Sequence, residues 1–375
     1  MKQGVQNLLL SLGSLLVFFG AAEGLARLRY HPERMRYEGI FEYDRDKVYA
    51  LKRNLTAGAF MGKPVTTNSL GQRDREIPLR KPGNGFRVLA VGDSVTFGHG
   101  VNADETWPEQ LERDLGARLP SSQVDVVNTA VPGNSPFQEY VDLQRALVLE
   151  PDAAVIQFVL NDVVEPYKVF RRYGGSGKDY HGVDDVPYWD WVLSQHSAFY
   201  LLLKDAAARI RFGAVTREGV REHAVRKENE LSWNAAADEP TNPMVADAWR
   251  ECLAWMQREV DLCKAHGIAV VLLVTPVEFQ LSDASRTYAQ RRLAAFAAAN
   301  DIGYLDLLTV LRDRVRGADE SESPAAVWPR YFLDHDHLTL AGHRLVAEAL
   351  LPQLMQIATE RRRRTADGRP SSGAT

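Results

Sequence analysis

A serine in the amino-terminal third of the chain stands in a setting that suits nucleophilic catalysis. Ser94 ends the tripeptide Gly92-Asp93-Ser94, which directly follows the short apolar run 87–91. A serine at a turn between a strand and a helix can present its hydroxyl at the carboxyl edge of a sheet, with its backbone N–H free to face a ligand. The tripeptide alone is weak evidence, and the Gly-x-Ser-x-Gly elbow motif is absent, because valine and threonine follow Ser94.

The tetrapeptide Asp334-His335-Asp336-His337 offers the base that such a serine needs. A nucleophilic serine requires a base to take its proton, and the base requires an acid that holds its tautomer and stabilises the imidazolium. Asp334 and His337 are three residues apart on a turn that leads into a helical pattern, so they can make this contact locally. Two other interpretations remain open: metal binding by His335, Asp336 and His343, or a helix cap at Asp336 with surface imidazoles beside it.

Two further positions complete a set of groups at one edge of the predicted sheet. Gly133 follows the apolar run 124–127, and Asn161 ends the run 153–160. Since the carboxyl ends of parallel strands meet at the same edge, both residues are expected near Ser94. Gly133 can offer a backbone N–H and Asn161 a side-chain amide, which with the Ser94 N–H makes three donors for an oxyanion. Taken singly, Gly133 is equally a turn glycine and Asn161 a strand terminator.

The segments that must position these residues alternate between strand-like and helical patterns. Apolar strands that alternate with helices are typical of a parallel sheet covered on both faces. We therefore predict a three-layer α/β/α domain with a central, mostly parallel, five-stranded sheet. The predicted strands are 87–91, 124–127, 153–160, 268–274 and 303–307, and the predicted helices are 105–119, 137–149, 246–266, 288–299 and 340–357.

The composition of the chain changes at several points that we take as domain boundaries. Residues 1–30 hold a long uncharged segment, and 31–84 are polar and rich in turn signals, which predicts an irregular extension. Residues 85–360 carry the strand–helix alternation and form the main domain. Within it, 163–245 breaks the alternation and is predicted to be an insertion over the carboxyl ends of the strands. The arginine-rich tail, 361–375, is predicted to be disordered.

The amino-terminal segment predicts a membrane anchor or an export signal. Leu8 to Ala22 contains no charge, but about fifteen helical residues span only roughly 22 Å, short of a hydrocarbon core of about 30 Å. Extending the helix to Val5 on one side and Ala26 on the other makes a span possible. We prefer an uncleaved anchor; the alternatives are a signal peptide cut after Ala22 and a buried helix.

The charges around this segment leave its orientation open. Only Lys2 precedes it, whereas four arginines follow, which by the positive-inside rule would keep the body of the protein in the cytoplasm. That rule weakens for long translocated domains, so we expect a membrane-anchored catalytic domain on the extracytoplasmic, periplasmic side, with secretion after cleavage as the alternative. The arginines are Arg27, Arg29, Arg34 and Arg36.

Composition and charge exclude several classes of protein. Of 375 residues, 45% are hydrophobic and 25% charged, close to globular averages and unlike a disordered or fibrous chain. A net charge of −4 gives no electrostatic basis for binding nucleic acid, and a single long apolar segment excludes a polytopic membrane protein. Cys252 and Cys263 fall in one predicted helix about 16 Å apart along its axis, too far to form a disulfide.

Together these blocks resemble the SGNH/GDSL hydrolase superfamily over about residues 85–355, apart from the insertion. The matches are Gly92-Asp93-Ser94-Val95 to the GDS block, Gly133 to the glycine block, Asn161-Asp162 to the asparagine block and Asp334-His335-Asp336-His337 to Asp-x-x-His. The third block departs from the frequent Gly-x-Asn-Asp, because Val159 stands at the glycine position and can narrow the acyl site or shift Asn161. The segment 67–73 resembles, more loosely, a lead-in of membrane-linked bacterial members.

The resemblance implies an SGNH-hydrolase, flavodoxin-like fold and a serine ester hydrolase. By this resemblance Ser94 is the nucleophile, His337 is the base and Asp334 is the acid that orients it. The implied oxyanion hole consists of the Ser94 N–H, the Gly133 N–H and the Asn161 amide. The implied reaction passes through an acyl-serine intermediate and needs no metal or organic cofactor.

Three functions are compatible with such a site. The favoured one is an esterase or acylhydrolase, in one form a carbohydrate O-deacetylase, acting on a small acyl ester or an acylated glycan. An O-acyltransferase that modifies a cell-envelope polysaccharide is the alternative, because water and a sugar hydroxyl compete for the same acyl-enzyme. A non-catalytic carbohydrate-binding module is a third, which the intact Ser94, Asp334 and His337 argue against. Aromatic residues of the insertion can stack on sugars or simply pack, among them Tyr188, Trp189 and Trp191.

Overall fold

A computed structural model describes residues 2–28, 39–164, 188–211, 232–283, 285–317 and 324–366. Its strands are β1 (Phe41–Asp44), β2 (Val48–Leu51), β3 (Gly58–Phe60), β4 (Lys63–Val65), β5 (Phe86–Val91), β6 (Val124–Asn128), β7 (Ala153–Phe158), β8 (Ala269–Val274) and β9 (Gly303–Asp306). Its α-helices are α1 (Lys2–Ala26), α2 (Ser94–Phe97), α3 (Trp107–Arg118), α4 (Pro136–Ala146), α5 (Tyr188–His196), α6 (Ala198–Arg211), α7 (Trp233–Ala236), α8 (Pro243–Ala265), α9 (Glu278–Ser282), α10 (Tyr288–Ala299), α11 (Leu307–Gly317), α12 (Pro324–Tyr331) and α13 (Leu340–Ala366).

Strands β5 to β9 form the predicted five-stranded sheet, and every pairing in it is parallel. Their order across the sheet is β6-β5-β7-β8-β9, so the chain reverses its direction of travel between β5 and β7. The register sets Val91 opposite Ile156 and Ala90 opposite Asn128, which brings the ends of three strands to one edge. A topological switch point of this kind is where open α/β sheets bind their ligands.

Helices cover both faces of this sheet, as strands with apolar residues on both faces require. Helices α3 and α13 pack together on one side, and α4, α8 and α10 pack on the other. The side chains of β5, β6 and β7 are buried throughout. The predicted three-layer α/β/α fold with a five-stranded central sheet is therefore confirmed.

The sequence predicted the elements better than it predicted their ends. Helix α13 runs through Pro352 to Ala366, so the predicted boundary of a disordered tail at residue 361 is wrong. Arg361 forms an ion pair with Asp152 at 2.6 Å and donates to the Gly85 carbonyl, contacts that hold the last turns of the helix on the domain. Residues 367–375 lie outside the described part of the chain.

The extension predicted to be irregular contains two β-hairpins. Strands β1 and β2 pair antiparallel, as do β3 and β4. Further along the extension, the buried Arg73 donates hydrogen bonds to the carbonyls of Phe97, Gly98 and Val101. The extension therefore holds the segment that directly follows α2, a role that its polar composition does not reveal.

The chain divides into two compact units, Met1–Gly39 with Val169–Lys227 and Ile40–Lys168 with Glu228–Thr375. The first unit contains α1, α5 and α6. Asp190 of α5 is buried and forms an ion pair with Lys204 of α6 at 2.8 Å, while Tyr188 and Trp189 are exposed. Of the predicted insertion 163–245, the side chain of Trp191 and residues 165–187 and 212–231 lie outside the described part.

Candidate active site

Ser94 begins the short helix α2 directly after β5, where the sequence predicts it. Asp93 caps this helix, since its Oδ1 accepts from the Val95 N–H at 2.9 Å. Gly92 makes the turn possible, because a Cβ there would lie 2.7 Å from both Gln157 Oε1 and Thr96 Oγ1. The Ser94 side chain is thus fixed at the carboxyl edge of the sheet, at the switch point between β5 and β7.

His337 lies on a loop that is closed by hydrogen bonds, and from this loop its side chain reaches Ser94. The Leu333 N–H donates to the His337 carbonyl at 2.7 Å, and the Trp328 indole donates to the Asp334 carbonyl at 2.6 Å. Phe332 and Leu338 pair as an antiparallel bridge across the base of the loop. The backbone around the histidine is therefore held by the elements on either side of it.

Ser94, His337 and Asp334 form a hydrogen-bonded relay. Ser94 Oγ lies 2.9 Å from His337 Nε2, and His337 Nδ1 lies 2.8 Å from Asp334 Oδ2. With the hydrogen on Nδ1, the Nε2 lone pair faces the serine hydroxyl, as a base requires. The structure brings together three residues that are up to 243 positions apart in the chain.

The charges around His337 favour the protonated form of its imidazole. Burial disfavours the imidazolium, but the hydrogen bond to Asp334 and the charges of Asp336, Asp334 and Asp93 outweigh burial and raise the pKa of His337 above its ordinary value. Burial also opposes ionisation of Asp334, yet hydrogen bonds from the His337 ring and from two backbone N–H groups hold the pKa of this carboxyl well below its usual range. Asp334 is therefore an anion at neutral pH.

His99 is a site residue that sequence reasoning missed. Its ring stacks on that of His337 with centroids 3.7 Å apart and planes inclined by 17°. Phe60 of β3 packs edge-on against His99 with ring centroids 5.5 Å apart, so a residue of the extension supports the stacked histidines. Burial and the neighbouring His337 charge lower the pKa of His99 to about 4, so the ring is neutral near pH 7. No spacing rule connects these rings in the sequence.

Gly133 lies on the loop after β6 that runs beside the Ser94 turn. The Val131 N–H donates to the Gly92 carbonyl at 3.3 Å, which ties the two loops together. Gly133 has φ of +77°, and a Cβ there would lie 3.0 Å from the Tyr49 hydroxyl. Glycine is therefore required both by the left-handed backbone and by the close approach of the extension.

Asn161 lies just beyond β7 and is joined to the residue that precedes the serine. Its Nδ2 donates to Asp93 Oδ2 at 2.5 Å, and both side chains are buried. An amide nitrogen carries two hydrogens, so this bond uses one and leaves the second for another acceptor. Asp93 thus serves two groups, the backbone of α2 and the Asn161 amide. The sequence analysis did not predict this second role of Asp93. The available signal was that a carboxylate in a buried turn needs a hydrogen-bond partner.

The profile of the GDSL-like Lipase/Acylhydrolase family matches residues 90–345, more than half of the chain. The chain belongs to this family. The match runs from the last residues of β5 to the start of α13 and so includes Ser94, Gly133, Asn161, Asp334 and His337. Members of this family act on ester bonds, and the protein is an ester-hydrolysing enzyme. No curated protein matches the chain.

Several solved structures resemble this GDSL-like chain over most of its length at low identity. A lipolytic protein of the G-D-S-L family from Veillonella parvula is 13% identical, with a TM-score of 0.40, and the alignment covers 72% of this chain and 97% of that one. A catalytic mutant of an acetylxylan esterase from Geobacillus stearothermophilus is 16% identical, with a TM-score of 0.42 and coverage of 73% and 96%.

Val159, the departure from the family pattern, belongs to the core rather than to the surface. Its side chain is fully buried in the hydrophobic cluster, and its N–H donates to Asp162 Oδ2 at 2.9 Å. The valine therefore fills space behind the Asn161 turn.

One of the three residues in the predicted metal site, His343, does not lie with the other two as a free ligand. His343 is buried, and its Nδ1 accepts a hydrogen bond from the Trp107 N–H at 3.1 Å. Burial is the main cause that lowers the pKa of His343 to about 3. Two groups of nearby ligand atoms remain among the described residues: His99, Asp334 and His337, and Asp334, His335 and Asp336. In the first group both nitrogens of His337 already face Ser94 and Asp334, so binding a metal would dismantle the relay.

Proposed function

We propose that this GDSL-family enzyme hydrolyses carboxylic esters through an acyl-serine intermediate on Ser94. The observation that carries the proposal is the relay itself, with distances of 2.9 Å from Ser94 Oγ to His337 Nε2 and 2.8 Å from Nδ1 to Asp334 Oδ2. A protein that only bound acyl glycans would have no use for a base in contact with a buried serine hydroxyl. The relay therefore favours an enzyme over the carbohydrate-binding module.

In the acylation step, Ser94 Oγ attacks the ester carbonyl carbon while His337 Nε2 takes the hydroxyl proton. The tetrahedral intermediate carries its negative charge on the former carbonyl oxygen, facing the proposed donors Ser94 N–H, Gly133 N–H and Asn161 Nδ2. His337 then gives the proton to the departing alcohol oxygen as the carbon–oxygen bond breaks. In deacylation, water loses a proton to His337, attacks the acyl carbon and releases the free acid, and the proton returns to Ser94.

Replacement of Asn161 by alanine is expected to lower turnover roughly 100- to 1000-fold, as loss of one oxyanion donor does elsewhere. Michaelis constants should move little, because the hydrogen bond strengthens mainly in the transition state. Asn161→Asp should be at least as damaging, since a second carboxylate would then face both the oxyanion and the buried Asp93. Steady-state kinetics on a short-chain ester measures both effects.

A matched control for this variant is Asn300→Ala. That amide also donates two hydrogen bonds, to Gln257 Oε1 and the Phe296 carbonyl, but it lies after α10 and away from the relay. It should lose stability without losing turnover. Near-normal turnover in a folded Asn161→Ala enzyme would show that Ser94 and Gly133 alone build the hole.

The acyl acceptor decides between hydrolase and transferase. Water and a sugar hydroxyl attack the same acyl-serine, so the relay serves either reaction equally. A panel of acyl esters, scored for release of free acid against transfer to an added glycan, separates the two. We expect release of free acid, and acyl transfer that exceeds it would assign the enzyme to the transferases.

We further propose that α1 is a retained membrane anchor and that the catalytic domain is extracytoplasmic. Within α1, residues 3–26 contain an 18-residue stretch with mean hydropathy 1.9, and these 24 residues are about 36 Å long and so able to cross a core of about 30 Å. Phe18 and Phe19 contact Phe199 of α6 at 6.5 and 6.1 Å between ring centroids. Glu23 accepts from the N–H groups of Ala198 and Phe199. Cleavage after Ala22 would separate the two phenylalanines from these contacts, which supports an anchor over a signal peptide.

This proposal predicts that the full-length chain fractionates with membranes and resists extraction by high salt. The physical reason is that the apolar side chains of α1 are buried in lipid rather than bound by surface charge. Sedimentation of washed membranes followed by amino-terminal sequencing checks it, and protease accessibility on spheroplasts checks the orientation. Soluble protein that begins near Glu23 would contradict the anchor.

A further inference from the structure

Two carboxylates, not one, lie against Nδ1 of His337. Asp334 Oδ2 is 2.8 Å from this nitrogen and Asp336 Oδ1 is 3.1 Å from it. The two acids differ in surroundings, because the Asp334 side chain is 39% exposed and that of Asp336 is 3% exposed. The family pattern assigns the acid role to Asp334 alone and gives Asp336 no role.

Asp336 Oδ1 is a buried oxygen whose hydrogen-bonding capacity is unused. Within the described part of the chain this oxygen makes no hydrogen bond, although it lies next to the His337 ring. The reason is directional: the Nδ1 hydrogen points at Asp334, and one hydrogen cannot be well aligned with both oxygens. Leaving such an oxygen buried and unpaired costs free energy, so its placement against the histidine calls for an explanation.

We propose that Asp336 is a second positioning acid for His337, able to hold the ring and stabilise its imidazolium form when Asp334 does not. This inference rests on the proposed role of His337 as the base for Ser94. Because Asp336 Oδ1, at 3.1 Å, is only slightly farther from Nδ1 than Asp334 Oδ2, at 2.8 Å, a small rotation of the imidazole is enough to turn the Nδ1 hydrogen from the second carboxylate towards the first. The site therefore has two acceptors for one hydrogen.

The charges that face Asp336 decide when it can act. Burial is the main cause that raises the pKa of Asp336, to about 7. The negative charges of Asp93 and Asp334 and a hydrogen bond to Asp334 act in the same direction, whereas the charge of His337 lowers the pKa. His335 also faces Asp336, with Nε2 at 3.5 Å from Oδ1. Removing the charge of Asp334 takes away one of the groups that oppose ionisation. Asp336 should then be more fully ionised near neutral pH, when its acceptor is needed.

The test compares Asp334→Asn, Asp336→Asn and the double variant in the full-length enzyme. We expect Asp334→Asn to stay within about 30-fold of the wild-type kcat, against the roughly 10,000-fold loss that follows removal of the acid in a serine protease triad. The double variant should fall to that level. Asp306→Asn is the control, because it changes another partly buried carboxylate, one that accepts hydrogen bonds from the Leu308 N–H and the Thr309 hydroxyl and none from His337.

A loss in Asp334→Asn as large as in the double variant would overturn the proposal. So would a loss of that size in Asp336→Asn alone, because Asp336 would then be the sole acid and not a second one. Circular dichroism and thermal unfolding show which variants are folded, so that a loss of structure is not counted as a loss of catalysis.

Two readouts separate positioning from a structural role. Because the Asp336 charge raises the pKa of His337, Asp336→Asn should shift the acid limb of the kcat/KM profile to lower pH. In proton NMR, the downfield His337 Nδ1–H resonance should persist in Asp334→Asn and disappear in the double variant. An unshifted pH profile, or loss of the resonance in Asp334→Asn, would overturn the inference.

The NMR experiment does not require turnover, so it separates this inference from the proposed function. If Ser94→Ala retained activity, the acyl-serine mechanism would fail while the Nδ1–H result could still stand. Conversely, an inactive Ser94→Ala enzyme with no Nδ1–H resonance in Asp334→Asn would keep the mechanism and remove Asp336 from it.

Discussion

Replacing Ser94 with alanine is expected to lower ester turnover by roughly 10⁴- to 10⁶-fold and to abolish labelling by a fluorophosphonate probe. The hydroxyl is the atom that bonds to the acyl group, and it lies 2.9 Å from the base that would activate it. The fold should tolerate the change, because Asp93 rather than Ser94 caps α2, and the Asp93 bond to Asn161 does not involve the serine side chain. Probe labelling and kinetics on purified, folded protein provide the measurement.

Ser135→Ala is a matched control for this variant. Ser135 is buried on the loop after β6 and its Oγ pairs with Gln138 Oε1, so it is also a polar hydroxyl near the same sheet edge. It should be labelled normally at Ser94. Undiminished labelling of Ser94→Ala would remove the nucleophile assignment and the proposed mechanism with it.

Replacing His337 with alanine is expected to lower kcat by a similar factor, about 10⁴ to 10⁶, since removal of the base from a serine triad costs about as much as removal of the serine. His99→Phe is the matched control, because it changes the other histidine of the stack. A phenyl ring can keep the face-to-face contact with His337, so activity should remain within about tenfold of the wild type. A collapse of activity in His99→Phe with normal activity in His337→Ala would reverse the assignment of the base.

The same histidine sets the acid limb of the pH profile. Only neutral His337 can accept the serine proton, and its pKa is raised above the ordinary value of about 6.5 by Asp334 and Asp336 despite burial. Activity should therefore fall as the pH decreases through a midpoint above that ordinary value. A kcat/KM profile of the wild-type enzyme measures the midpoint, and a midpoint below the ordinary histidine value would contradict the electrostatic account.

Much of the fold follows from local patterns that act over a few residues. The five strands are mostly apolar on both faces because helices cover both faces of the sheet, and this pattern is visible in the sequence without knowledge of the partners. Gly92-Asp93-Ser94 could be placed at a strand end because its strand immediately precedes it. Asp334 and His337 could be paired because a separation of three residues brings them together within one turn.

Features that depend on side chains from distant segments could not be predicted in this way. The polar composition of 31–84 was consistent with irregular structure, whereas the structure has hairpins there, and Phe60 of β3 packs against Phe97 and His99 of a distant segment. Helix α13 continues past residue 361, where Arg361 forms an ion pair with Asp152, which lies more than 200 positions earlier in the chain. Neither contact leaves a periodic or local signal.

The sequence by itself predicted the type of chemistry and the residues proposed for it: a serine directly after a strand of a parallel sheet, and a histidine with an acid in the turn before the last helix. Only the tertiary structure decided how the charges around that chemistry are arranged. It set the ring of His99 on that of His337, joined Asn161 to Asp93, and buried Asp336 beside Nδ1 while leaving Asp334 partly exposed. The physical reason is that burial and Coulomb interactions depend on distances in space, which the order of residues along the chain does not specify.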